Sequence, residues 1–285
     1  MSRRTLSLCL LLTACEVDPD PLPPRVTLID NARMPEDGPS VPIPTPMLRV
    51  VGDAELEVAL DGVAKTLPFS DYPYSGCHDR AHATWLALSA RLGADAAAKI
   101  WVFAPRLLTV ALDGAVGIPV DRARWGESET KWDYHVAVVF ETEAGLRIID
   151  PRVGEGFEPV TLDAWFGNMS IDPGAAWTIA DGRYYSFNKT GEAPWSGGRR
   201  PFNGGLFEYD RTAHADGWLF DDLARDDAAS VLADDPEACP SLSVQLDDPG
   251  ALLDAFRHPG PGCATVHAAY TSSRARWQAR LDPLL

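Results

Sequence analysis

The stretch YPYSGCHDRAHATWLAL, residues 72–88, places a cysteine at the start of a predicted helix. Apolar residues recur every three or four positions along this stretch and just after it, at Ala81, Trp85, Leu88 and Leu92. This spacing predicts a helix from about Cys77 to Leu92, which the following glycine ends. A helix N-terminus lowers the pKa of a thiol because the backbone dipole favours the thiolate. Cys77 is therefore a candidate nucleophile, although a structural thiol and a metal ligand remain alternatives.

Strand patterns lie on both sides of this helix. Residues 134–142 and 146–150 are two β-rich runs joined by a turn at Ala144 and Gly145, which predicts an antiparallel hairpin. Upstream, the alternation in residues 55–60 predicts a further hairpin that leads to Phe69. A helix followed by several antiparallel strands indicates the α+β fold class.

The downstream hairpin brings two titratable side chains together. His135 opens its first strand and Asp150 closes its second strand. These ends lie side by side because the second strand runs back along the first. The Asp150 carboxylate can then orient the His135 ring, while the other ring nitrogen faces Cys77. This is the arrangement of nucleophile, base and orienting group that acyl transfer needs.

Four segments carry a resemblance to a known family: LPFSDYPYSGCHDRAH (67–82), WDYHVAVVF (132–140), RIIDPRV (147–153) and PVTLDAW (159–165). In order and context they resemble the motifs of bacterial protein-glutaminases. The resemblance implies a transglutaminase-like, papain-related fold, with the nucleophile helix packed on an antiparallel sheet. It also implies hydrolytic deamidation of glutamine side chains in proteins or peptides, through a thioester and without a cofactor. Position by position, Cys77 becomes the nucleophile, His135 the base and Asp150 the orienting residue.

The chain departs from the family pattern directly after the nucleophile. His78 and Asp79 stand where the family has an aromatic and a small residue, a difference that bears on substrate preference. Aromatic residues near the motifs are candidate substrate-binding residues, although ordinary packing explains them equally well. They are Trp132, Tyr134 and Trp165.

Other functions fit the same residues. A transglutaminase or a cysteine peptidase would use the same three side chains, and a surface-binding lipoprotein would keep the fold without catalysis. His78 and His82 lie four residues apart on a helix, as in a zinc motif, but no third ligand motif follows. The sequence therefore favours an enzyme without a metal.

The N-terminus has the pattern of an export signal. Two arginines precede a short apolar run that ends in LLTAC, which resembles a bacterial lipobox. We expect residues 1–14 to be a lipoprotein signal peptide and Cys15 to carry the lipid. Residues 15–47 are rich in proline and acid and predict an extended tether. These features predict an exported protein of the bacterial cell envelope, anchored to a membrane through its N-terminal lipid.

The remaining chain divides into a predicted catalytic domain, residues 48–215, and a C-terminal segment of helical and irregular structure, residues 216–285. Cys239 and Cys263 lie in that segment, and an oxidising compartment favours a disulfide between them. Its acidic run is interpreted as a solvated face. The net charge of −16 leaves no basic patch, so nucleic acid is not an expected partner; a glutamine-bearing protein or peptide is.

Overall fold

The structure is a computed structural model that describes residues 45–74, 76–111, 129–151, 157–170, 176–188, 205–209, 214, 217–243 and 245–285. The predicted signal peptide, the lipid-carrying Cys15 and all but the end of the predicted tether lie outside the described residues, so they stay predictions. Among the described helices, none combines the length and the apolar character that crossing a membrane requires.

Helices and strands alternate irregularly along the chain. The helices are α1 (Asp53–Thr66), α2 (Cys77–Leu92), α3 (Leu162–Gly167), α4 (Trp218–Asp234), α5 (Pro240–Ser243), α6 (Pro249–Arg257) and α7 (Ala264–Leu281). The strands are β1 (Val50–Val51), β2 (Ala97–Ala111), β3 (Glu129–Thr142), β4 (Gly145–Ile149), β5 (Val160–Thr161), β6 (Met169–Ser170), β7 (Ala176–Ala180), β8 (Tyr184–Asn188) and β9 (Gly205–Glu208). The α+β class predicted from the sequence is confirmed.

The first seven strands form one sheet with β2 and β3 at its centre. The strand order is β5-β4-β3-β2-β6, β7 also pairs with β2, and all these pairs are antiparallel. β1 lies parallel to β3, while β8 and β9 form a separate two-stranded sheet. The predicted hairpin is β3 and β4, which pair from Val138 opposite Ile149 to Thr142 opposite Gly145.

The predicted upstream hairpin is wrong, because residues 53–66 form helix α1. The alternation that suggested a strand covers only six residues and is also compatible with a helix. The buried positions decide between the two, since Leu56, Ala59, Leu60 and Val63 lie on one helical face. Good helix formers such as alanine, leucine and glutamate dominate the segment, so local preference agrees with this packing.

The sheet has a packed layer on each face. Val136, Val138 and Phe140 of β3 point to the side that α1 and α2 cover, and they join the core of these helices. Ala137 and Val139 point the other way, into a core that includes Trp165 and Phe166 of α3. Alternate residues of a strand face opposite sides, so His135 lies on the α3 side, at the end of this row.

The C-terminal helices pack against helix α2. α4 packs against α6, α7 and α2, and a disulfide joins Cys239 to Cys263 within this segment. Arg80 of α2 pairs with Asp226 of α4, with an Nη1–Oδ2 distance of 3.1 Å, and both side chains are buried. The expected solvated acidic face is therefore wrong in part. Asp221 and Asp226 are buried because arginines from α2, α4 and the last helices neutralise them.

Candidate active site

Cys77 is the first residue of α2, and its thiol is buried. Gly76 precedes it with φ of 87°, a left-handed conformation that glycine adopts without strain. A Cβ at Gly76 would also overlap the Asp226 carboxylate and the Arg80 guanidinium. Gly76 therefore allows a tight turn close to Asp226 of α4, and α2 begins at the next residue. This turn leaves the first backbone N–H groups of α2 beside the thiol, where they can stabilise negative charge.

His135 and Asp150 form a buried hydrogen bond where the β3–β4 hairpin opens. His135 Nε2 lies 2.5 Å from Asp150 Oδ2, and their side chains are 0% and 3% exposed. Because Nε2 faces the carboxylate, Nδ1 is the ring nitrogen that can exchange a proton with the thiol. The structure thus brings together the two residues that the hairpin pattern placed side by side.

Trp165 holds this pair from the α3 side. Its indole N–H donates to Asp150 Oδ2 at 2.8 Å, and its ring stacks on the His135 ring at 5.7 Å between centroids. Trp165 is fully buried, and its predicted role in substrate binding stays a prediction. The hydroxyl of Thr161 caps α3 by accepting from the backbone N–H of Ala164, and this short helix positions the indole.

Cys77 and His135 contact each other, and each changes the other's pKa. Burial alone raises the pKa of the Cys77 thiol, but hydrogen bonds and charge from His135 and His78 outweigh it and lower the pKa to about 6. Burial lowers the pKa of His135, but the Asp150 charge and hydrogen bond, together with Cys77, raise it to about 9. At neutral pH the two side chains therefore favour a thiolate and an imidazolium.

His78 is a second histidine beside the Cys77 thiol, and it is not one of the three residues predicted to form the triad. Tyr134, another predicted substrate-binding residue, contacts it through a hydroxyl that lies 3.3 Å from His78 Nδ1. Tyr134 is partly buried. Trp132 lies in β3 opposite Leu108, but its side chain is outside what the structure describes, so its predicted role stays a prediction.

The helical pair His78 and His82 does not form a zinc site in the described structure. His82 Nδ1 lies 2.6 Å from the Nζ of buried Lys99, whose amine also donates to the Tyr184 carbonyl. His82 packs beneath the site, as one alternative expected. Among the described residues, one group places three metal-ligating atoms within 4.8 Å of one another, namely His78, Asp79 and Asp222. An arginine already pairs with Asp222 at 2.7 Å, and we interpret the group as an ion-paired histidine.

The candidate site lies within a segment that matches a known family. A buried group of cysteine, histidine and aspartate on an α+β core is typical of cysteine-dependent hydrolases. Residues 55–169, which contain all three side chains, match a family model described as glutaminase. The match supports the resemblance to protein-glutaminases that the motifs predicted, and it supports an enzyme that deamidates glutamine.

The chain was also compared with solved structures and with curated proteins. The chain is similar to the NMR structure of protein-glutaminase from Chryseobacterium proteolyticum, with 18% sequence identity and a TM-score of 0.39. The similarity covers 60% of this chain and 86% of that chain. No curated protein matches the chain.

Proposed function

We propose that the protein hydrolyses the side-chain amides of glutamine residues in proteins or peptides, with Cys77 as nucleophile. One observation carries this proposal: Cys77, His135 and Asp150 form one buried, contacting group inside the segment that matches the glutaminase family. His135 acts as the acid and base, and Asp150 orients its ring.

In the first half of the reaction the Cys77 thiolate attacks the amide carbon of glutamine and forms a C–S bond. The oxyanion is held by backbone N–H groups at the start of α2, including that of Cys77. His135 then gives its Nδ1 proton to the amide nitrogen, the C–N bond breaks, and ammonia leaves. The product is a neutral thioester beside a neutral imidazole.

In the second half His135 takes a proton from a water molecule, which attacks the thioester carbon. The C–S bond breaks, the new carboxyl group gives its proton to solvent as glutamate leaves, and the thiolate returns beside a protonated His135. Asp150 supports both halves because its carboxylate stabilises the imidazolium and keeps Nδ1 aimed at the reacting atoms. Water is the acyl acceptor in this proposal; an amine in its place would produce transamidation.

The pKa values of the site predict a bell-shaped pH dependence of kcat/KM. The thiolate forms above the Cys77 pKa of about 6, and the imidazolium is lost above the His135 pKa of about 9. Activity should therefore rise through the lower value, remain high between them, and fall through the upper value. The measurement is ammonia release at low substrate concentration over this range. A rising limb near the ordinary pKa of a free thiol would contradict the ion pair.

The decisive assay distinguishes side-chain deamidation from peptide cleavage, transamidation and binding without catalysis. The full-length chain is incubated with a glutamine-rich protein and with a short blocked glutamine peptide, and ammonia and substrate mass are measured together. We expect one glutamate for each ammonia, with every peptide backbone intact. Enzyme blocked with iodoacetamide is the control, because it keeps the fold but lacks a reactive thiol.

Each other outcome overturns the proposal in a recognisable way. Cleaved backbone without ammonia would identify a cysteine peptidase. Ammonia accompanied by incorporation of an added amine in place of glutamate would identify a transglutaminase. If neither substrate changes, and the blocked enzyme is indistinguishable from the untreated one, the chain is a binding protein with a catalytic fold.

A further inference from the structure

A second histidine lies at the nucleophile, and the reaction described above does not use it. His78 follows Cys77 in the first turn of α2, and it lowers the pKa of the Cys77 thiol. The edge of its ring meets the ring of Tyr185 at 5.2 Å between centroids, and its side chain is only 19% exposed. Any charge on this imidazole therefore acts on Cys77 through little intervening water.

Two carboxylates hold the other side of the His78 ring. Nε2 lies 3.5 Å from Asp79 Oδ2 and 4.0 Å from Asp222 Oδ2. Asp79 is fully buried, and its second oxygen accepts a hydrogen bond from the Tyr185 hydroxyl. Asp222 belongs to α4, so the C-terminal segment contributes one of the two carboxylates.

The charges around this contact balance when His78 is protonated and Asp79 is ionised. Three carboxylates meet here, those of Asp79, Asp222 and Asp226. Two guanidinium groups face them: Arg80 lies 3.1 Å from Asp226, and Arg225 lies 2.7 Å from both Asp222 and Asp226. An imidazolium at His78 supplies the third positive charge. Burial raises the pKa of Asp79 to about 7, although the His78 charge lowers it. A neutral His78 would therefore leave the Asp79 carboxylate uncompensated or make it take up a proton.

The remaining titratable neighbours do not compete for this role. Burial lowers the pKa of both His82 and Lys99, so these two groups favour their neutral forms beneath the site. Burial raises the pKa of Tyr185, which remains a neutral donor. Tyr134 offers a hydroxyl to the ring. Burial also lowers the pKa of His78, but the Asp79 charge, Cys77 and Asp222 raise it to about 9.

We propose that His78 is a second catalytic histidine, which contacts the Cys77 sulfur as a cation held between Asp79 and Asp222, and that helix α4 is thereby part of the active site. This inference rests on the proposed function of Cys77. His135 gives a proton to the amide nitrogen and takes one from water, whereas His78 keeps its proton throughout. In the second half of the reaction the C–S bond electrons go to sulfur, and His78 stabilises the departing thiolate.

The test measures the thiol directly. The full-length chain is treated with iodoacetamide over a range of pH, and alkylation of the Cys77 peptide is quantified by mass spectrometry. The wild-type rate should rise with a midpoint near the Cys77 pKa of about 6. In His78→Gln the midpoint should move up by about one pH unit or more, which lowers the alkylation rate at pH 6 by about fivefold or more.

Two variants of α4 provide a matched comparison. Asp222→Asn should move the midpoint in the same direction by a smaller amount, because His78 then loses its proton at lower pH. Asp227→Asn removes a charge from the same helix, on the side that faces Ser273 and Trp277, and should leave the midpoint unchanged. Thermal unfolding identifies any variant that does not fold. If His78→Gln does not fold, the comparison of Asp222→Asn with Asp227→Asn tests the proposal instead.

The inference is overturned if the His78→Gln profile superimposes on that of the wild type, or if Asp222→Asn behaves like Asp227→Asn. It is also overturned if a chelator shifts the wild-type profile, since the three side chains would then hold a metal ion. Iodoacetamide needs no glutamine. A shifted midpoint in a protein that releases no ammonia would therefore refute the glutaminase proposal and leave the role of His78 standing.

Discussion

Replacement of Cys77 by serine should lower kcat for ammonia release by about 10⁴-fold or more. The serine hydroxyl has nearly the same shape, so the buried site keeps its packing. It cannot ionise beside His135 as the thiol does, and no thiolate is present to attack the amide. The measurement is the single-turnover rate of ammonia release at saturating substrate.

Cys77→Ala is the companion variant, because it removes the nucleophile without adding a hydroxyl. The two variants should be equally inactive and should unfold thermally close to the wild type. If Cys77→Ser retains activity within about tenfold of the wild type, sulfur is not the nucleophile. If both variants are inactive and also lose much of their thermal stability, their inactivity reflects damaged packing of α2. The iodoacetamide alkylation of wild-type Cys77 would then test whether the thiol is reactive.

Asp150→Ala should lower kcat by about 10³-fold, through loss of a working base. Asp150 Oδ2 accepts from His135 Nε2 and from Trp165 Nε1, so alanine leaves two buried donors without this acceptor. The His135 ring loses its orientation and the charge that keeps its pKa near 9. The measurement is kcat together with the upper limb of the pH profile.

Asp150→Asn separates orientation from charge. The amide oxygen can accept from both donors, so the ring stays in place and the loss in kcat should be about tenfold. The imidazolium is less stable beside a neutral amide, and the upper limb should move to lower pH. Asp150→Ala with wild-type kcat, or Asp150→Asn with an unmoved upper limb, would remove Asp150 from the mechanism. Trp165→Phe is the control for the second donor, because it keeps the stacked ring and deletes only the indole N–H.

The central features of the site were predictable because their signals are local. The Cys77 helix shows helical spacing over four turns, and the turn at Ala144 and Gly145 sets the pairing of β3 with β4. Once that hairpin is recognised, its geometry alone brings His135 near Asp150. Helix α1 was not recognised because a six-residue alternation suits either a strand or a helix, and burial against α2 decides between them.

Other features depend on contacts that no local pattern encodes. From the sequence, Trp165 is only an aromatic residue close to one of the motifs. The packing of α3 against the sheet is what turns its indole toward Asp150. The acidic run of α4 looks solvent-exposed by composition. Its burial depends on Arg80 in a helix far away in the chain, whose guanidinium makes burial of Asp226 tolerable.

The sequence by itself predicted the resemblance to protein-glutaminases, the α+β class and the candidate triad of Cys77, His135 and Asp150, because these follow from motifs, periodicity and one hairpin. Only the tertiary structure decided the electrostatic setting of the thiol. The charge on His78 depends on Asp79 beside it and on Asp222 across the α2–α4 contact. The physical reason is that ion pairing depends on distance and burial, and both are set when helices from opposite ends of the chain pack together.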